Sequence, residues 1–195
     1  MATLLGNINR AVLIGLALML AVILGFHGAA IEADTKVWAG WLIRAAHAWA
    51  GVLWIGLLYY FNFVQIPTMP RVPAELKPAV SKYIAPEALF WFRWSALATL
   101  ILGLGVPGLS GYPLGNPLTF QPGYALIGTG MYLGIIMAAN VWMIIWPAQK
   151  IALGIVDADA DAKAAAARKA MMGSRINFIL SFPMLYCMVT QQSGL

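Results

Sequence analysis

Apolar residues run along this chain in long unbroken blocks and do not alternate with polar ones. Five blocks approach the roughly 20 residues that a helix needs to cross the hydrocarbon core of a bilayer. They cover residues 11–29, 39–64, 88–109, 123–146 and 174–191. Hydrophobicity this continuous predicts helices, not strands. Only helices or closed barrels satisfy their backbone hydrogen bonds in lipid. The expected fold is therefore all-α: a polytopic bundle of five transmembrane helices, with residues 1–195 as a single domain. The first block follows Arg10 and leads into small residues, as a signal peptide does; it is expected to be retained as the first span.

The polar stretches between the blocks orient the bundle. Arg10, then Arg71, Lys77 and Lys82, then Lys150, Lys163, Arg168 and Lys169 fall on one side. The other side holds Lys36, close to Glu32 and Asp34, and an uncharged loop. The excess of cations on the cytoplasmic face predicts a cytoplasmic N-terminus and a periplasmic C-terminus in a bacterial inner membrane. Trp38, Trp41, Trp91, Trp94 and Trp146 fall near span ends, where indoles favour the interface. The stretch 67–86, PTMPRVPAELKPAVSKYIAP, is punctuated by proline and amphipathic, and is expected to lie on the cytoplasmic membrane surface. The Gly/Pro-rich loop 104–122 carries no charge and is expected to press against the membrane or a partner. In 148–172, Asp157, Asp159 and Asp161 come early and the cations late, which suits the dipole of a helix starting near Val156. The Asp-Ala alternation lacks the glycine and terminal glutamate of a calcium loop, so no metal is expected there.

Composition sharpens the class. Hydrophobic residues make up 62% of the 195 and charged residues 10%, against about a quarter charged in soluble domains. Such a chain cannot cover itself with a water-compatible surface, and membrane lipid is its first expected partner. The net charge of +5 is spread between the blocks, with no basic run beyond Arg168-Lys169, so no nucleic-acid partner is expected. The one cysteine, Cys187, excludes an internal disulfide, and no CxxC or CxxCH motif occurs. No P-loop or HExxH motif occurs either. Only Glu87, at a boundary, brings a carboxylate to a span, which argues against a carboxylate proton relay.

Polar side chains inside apolar blocks are costly and point to function. In RAAHAWAGVLWIGLLYYFNF (44–63), the residues Arg44, His47, Gly51, Trp54, Leu58 and Asn62 recur at three- and four-residue steps and form one helical stripe. Arg44 can snorkel toward an interface. His47 lies deeper and needs a partner: a carbonyl, a water, another side chain or a metal. A neutral imidazole without a carboxylate is a natural axial ligand of haem iron. His27 is the other histidine, and the short connection between the first two spans allows a bis-histidine haem b between them. Alternatively, His47 hydrogen-bonds a neighbouring helix and His27 sits at the interface. A second cluster comprises Asn140, Trp142, Trp146 and Gln149 with Arg175 and the stripe Ser174, Asn177 and Ser181. Small polar residues on one face favour helix association over catalysis. Pro183 is expected to break the hydrogen-bond ladder in the middle of the fifth span. Gly128, Gly130 and Gly134 permit either close helix contact or room for a flat cofactor.

NVWMIIWPAQK (140–150) and SRINFILSFPMLYCM (174–188) resemble two motifs of the membrane domain of bacterial urate oxidases (urate hydroxylases). RAAHAWAGVLWIGLLYYFNF resembles that domain's histidine-bearing helix and, more distantly, helices of small membrane haem proteins of the protoporphyrinogen oxidase type. The resemblance covers roughly residues 40–190. In that family a linked cytochrome c domain joins the membrane domain in passing electrons from substrate to a respiratory chain. The resemblance thus implies an integral membrane redox protein that binds haem b and delivers electrons to a respiratory cytochrome, with urate as substrate by likeness alone. It implies His47 as ligand or redox-site histidine and Arg44, Trp54 and Asn62 as its surround. Asn140, Trp142, Trp146, Gln149, Arg175, Asn177 and Ser181 form the motif cluster. Two departures stand out. The family pattern reads Ser-Arg-His-Asn where this chain has Ser174-Arg175-Ile176-Asn177, and no cytochrome c motif is present. A separate protein would supply that domain, or the chain is a non-catalytic accessory subunit of a larger respiratory or photosynthetic complex.

Overall fold

The computed structural model describes residues 6–191, apart from the side chains of residues 30, 32 and 33. The Glu32 side chain, placed beside Lys36 by the charge pattern, therefore lies outside the described residues. Every regular element among the described residues is helical. The long ones are α1 (Ile8–Ala33), α2 (Thr35–Tyr59), α3 (Ala85–Leu109), α4 (Ala125–Asn140), α5 (Trp146–Ala152) and α6 (Ala160–Thr190). Five stretches are long and apolar enough to cross a membrane: Ile8–Ala29, Thr35–Arg71, Lys77–Leu109, Ala125–Ala152 and Ala160–Thr190.

All five extend beyond the apolar blocks at one end or both, and proline chemistry explains three of the extensions. Ile66, Ala85 and Trp146 each precede a proline. Their backbone N–H groups donate five residues back, to the carbonyls of Phe61, Val80 and Val141. The result is three short π turns, Tyr60–Gln65, Val80–Ile84 and Val141–Ile145. Proline offers no N–H, and its ring crowds the carbonyl four residues back. One extra residue per turn relieves that crowding and keeps the helix going. Much of the 67–86 connection therefore continues the adjoining helices. Pro183 sits inside α6, which continues past the one hydrogen bond that the proline cannot donate, and it is exposed.

The helix expected near Val156 begins at Ala160. Gly154, at φ 73°, ends the preceding turn in the left-handed region. Asp159 then caps the new helix, its Oδ1 accepting from Ala162 N at 2.7 Å. That helix and the fifth span are one element.

The uncharged loop 104–122 is partly covered by its own chain. The short helix Gly115–Leu118 lies on α4, where a Cβ on Gly128 would overlap the Pro117 carbonyl. The Tyr132 hydroxyl donates to the Leu118 carbonyl at 2.9 Å, and Phe120 stacks on the Tyr132 ring.

Contacts divide the chain into two compact units, Met1–Leu42 and Ile43–Leu195. In the first, α1 exposes a long apolar surface that includes Val12, Leu16 and Leu20. In the second, Trp54, Leu58, Phe61, Phe92, Met137 and Val141 form the centre of the core, and α6 packs chiefly on α4 and α5.

Candidate functional site: the His47 cavity and a buried polar column

The α2 stripe places His47 against α3. Its Nδ1 lies 2.9 Å from the Thr99 carbonyl oxygen. A carbonyl can only accept, so Nδ1 carries the proton and Nε2 keeps its lone pair. Gly103 makes this seat possible, because a Cβ there would come within 2.8 Å of Cε1 and 3.0 Å of Nδ1. One turn earlier, Arg44 Nη2 donates to Ser110 Oγ at 3.0 Å.

Both side chains line a cavity of about 820 Å³ bounded by α2, α3, α4 and α6. Its walls are mostly apolar, and Gly51, Trp54 and Met184 are among them. The three α4 glycines divide their roles. Gly128 admits the Pro117 carbonyl, and Gly130 admits Cys187, whose Cβ would lie 2.9 Å from an added methyl. Gly134 has nothing within 4 Å of that position and opens onto the cavity. Trp54 is 2% exposed, and its Nε1 meets no hydrogen-bond acceptor among the described residues. At the Arg44 end, the Tyr112 and Tyr124 rings lie 5.3 Å apart. Burial pushes the Tyr112 hydroxyl above its ordinary range; the Arg44 charge opposes that shift, and Tyr124 adds to it.

Asn62 is about four turns beyond His47 along the same chain segment, and it belongs to a different structure. Its Nδ2 donates to the Leu58 carbonyl at 2.8 Å and to Ser174 Oγ at 2.9 Å. Asn140 Nδ2 donates to the Gly173 carbonyl at 2.8 Å and to Asn177 Oδ1 at 2.7 Å. Asn177 Nδ2 donates to the Met137 carbonyl at 3.0 Å. One turn on, Ser181 Oγ donates to the Phe178 carbonyl at 2.7 Å and lies 3.2 Å from the Tyr59 hydroxyl. Ser174, Asn177 and Ser181 thus share the buried face of α6 and tie it to α2 and α4. The oxygens Asn62 Oδ1 and Asn140 Oδ1 remain without a donor among the described residues.

The other cluster members lie apart from this column. Trp142 packs edge-on against Trp94 at 5.3 Å. Trp146 lies beneath two cations, Arg93 at 3.9 Å and Lys150 at 6.0 Å. Gln149 lines a smaller cavity of about 270 Å³ together with Gln65 and Ser174. Arg175 and Ile176 are exposed. His27 belongs to the first unit and rests on Trp41, with ring centroids 4.8 Å apart. No group of three His, Cys, Asp or Glu side chains that could hold a metal ion occurs among the described residues.

Arg93 escapes a reading by helical stripe because it shares no face with other polar residues. Its signal is a lone cation within the apolar, aromatic run FWFRW.

Comparison with known families matches residues 114–194 to the family described as urate oxidase N-terminal. Compared with the curated proteins and with the solved structures, the chain matches none, and the likeness to membrane haem proteins finds no support. The match includes Asn140, Trp142, Trp146, Gln149, Arg175, Asn177 and Ser181 and leaves out Arg44, His47, Trp54 and Asn62. Residues 114–194 are thus similar to the urate oxidase N-terminal family.

Proposed function

We propose that this protein is an integral membrane redox protein of the bacterial inner membrane that holds haem b on His47 and passes electrons to a respiratory cytochrome. Five long apolar helices and the cation asymmetry of their connections support the multi-pass placement, with the N-terminus cytoplasmic and the C-terminus periplasmic. The urate oxidase N-terminal match supports a redox setting.

The observation that carries the cofactor assignment is the His47 seat. The Nδ1–H···O=C bond to Thr99 fixes the ring and leaves Nε2 free on a cavity wall, which is how proteins commonly orient a histidine that ligates metal. The residues present fit a haem. Gly51 and Gly134 leave room for a flat macrocycle, while Arg44 and the two tyrosines give the cavity a polar, cationic end suited to carboxylates. The iron would supply one-electron chemistry; His47 would ligate it, and the apolar walls would exclude water. His27 lies in the other unit and is not part of this assignment.

The test is an absorption spectrum of the purified protein. Reduced-minus-oxidised Soret and alpha bands are expected. They should vanish in His47→Ala and persist in His27→Ala. A colourless, correctly folded wild-type protein would overturn the assignment and leave an accessory subunit as the better reading.

A further inference from the structure

We propose that Arg93, Lys150 and Trp146 form a binding site for the phosphodiester of an anionic phospholipid. Arg93 is the one cation set inside α3, and its guanidinium carbon lies 3.9 Å from the centroid of the Trp146 ring on α5 and 5.3 Å from that of Phe90. Lys150 approaches the same indole at 6.0 Å. The two cations can be no further apart than those two distances combined, and like charges so placed repel unless an anion lies between them.

No carboxylate among the described residues pairs with either cation. Glu87, the acidic residue of α3, instead accepts from Trp91 Nε1 at 3.0 Å. The site is therefore positive, and its guanidinium is held against two aromatic rings. A planar fork of this kind matches two phosphate oxygens, and a neighbouring ammonium adds a point charge.

The surroundings decide between a lipid and a free anion. Phe90, Trp94, Met143 and Ile144 are exposed around the cations, with Met143 75% exposed. A dissolved anion gains nothing from such a border, whereas acyl chains would cover it. Basic sites between membrane helices commonly select anionic head groups in this way. The inference rests on membrane insertion and is independent of haem.

The test uses the full chain in nanodiscs of phosphatidylcholine, alone or with phosphatidylglycerol. Retained lipid is read by native mass spectrometry and stability by thermal melting. The wild type should retain phosphatidylglycerol selectively and melt higher in its presence. The double substitution Arg93→Gln, Lys150→Gln should reduce that selectivity by about fivefold per charge removed. Arg93→Lys keeps the charge but loses the stacked plane, so it should fall between. Melting in pure phosphatidylcholine shows that each variant is folded. Undiminished selectivity in the double variant would overturn the proposal, as would stabilisation by inorganic phosphate alone to the same extent. Release of the wild-type chain from membranes by alkaline carbonate would sink the underlying membrane reading, whatever the haem spectrum shows.

Discussion

Asn177 offers the sharpest test of how the helices are held. The residue is fully buried, accepts from Asn140 Nδ2 at 2.7 Å and donates to the Met137 carbonyl at 3.0 Å. Asn177→Leu keeps approximate shape and removes both bonds between α6 and α4. The Met137 carbonyl keeps its own helical partner, since Val141 N donates to it, but Asn140 Nδ2 is left with the Gly173 carbonyl alone. Polar contacts between membrane helices average about 0.6 kcal/mol and reach about 1.7 kcal/mol. Two such bonds give a loss of about 1–3 kcal/mol. The upper part of the range is expected because Asn140, 8% exposed, cannot turn its freed N–H to water. The double substitution Asn140→Leu, Asn177→Leu removes the stranded group and should cost less than the sum of the single changes, with a coupling of about 1 kcal/mol. Denaturant titration of the four proteins in mixed micelles measures this. If the single costs add to within about 0.4 kcal/mol, as independent sites do, the buried column is not a network and the helices are held by apolar packing alone.

Gly103→Ala should push the His47 ring off the Thr99 carbonyl, because the new methyl would sit 2.8 Å from Cε1; haem-specific absorbance should fall by more than half while stability drops by about 1–3 kcal/mol. Gly128→Ala should cost a comparable amount or more, since the added methyl overlaps the Pro117 carbonyl, whereas Gly134→Ala, facing the open cavity, should stay within about 0.5 kcal/mol of wild type; melting curves measured side by side distinguish them. The Tyr112 pKa is raised in the fold above 10.0. Its stabilising contribution is therefore fully present below pH 10 and lost as the pH rises through the folded value; Tyr112→Phe should remove that alkaline decline, as read from stability between about pH 9 and pH 12.

Much of this was legible because continuous hydrophobicity is a strong signal. Long apolar runs could only be helices, and Ser174, Asn177 and Ser181 shared a face by spacing alone. Depth and partner were harder to read. Asn62 lies on the His47 stripe, and the family resemblance implied it in the histidine's surround. Its actual neighbour, Ser174, comes from α6, and no local pattern encodes that contact. Helices run past the ends of the apolar blocks where prolines lie. A proline breaks a helix only if the helix keeps its ordinary period, and each of three helices instead widens by one residue ahead of it. Thr99 gave no signal either, since it contributes a backbone carbonyl that every residue possesses.

The same geometry bears on Ile176, where the resembling family carries histidine. Its neighbours Ser174 and Asn177 are buried at 6% and 0%, yet Ile176 is 51% exposed, because a step of one residue turns a helix by about 100° away from the packed face. The substitution therefore leaves every hydrogen bond of the buried column in place. A histidine at this position would stand on the outer face of α6, alongside Ile179 and Phe182, which are also exposed. A side chain at this position faces away from the inside of the bundle. In this chain position 176 itself is apolar, while the His47 cavity lies within the bundle between α2, α3, α4 and α6. The two features can thus change independently, so the absence of histidine at 176 does not count against cofactor binding at 47.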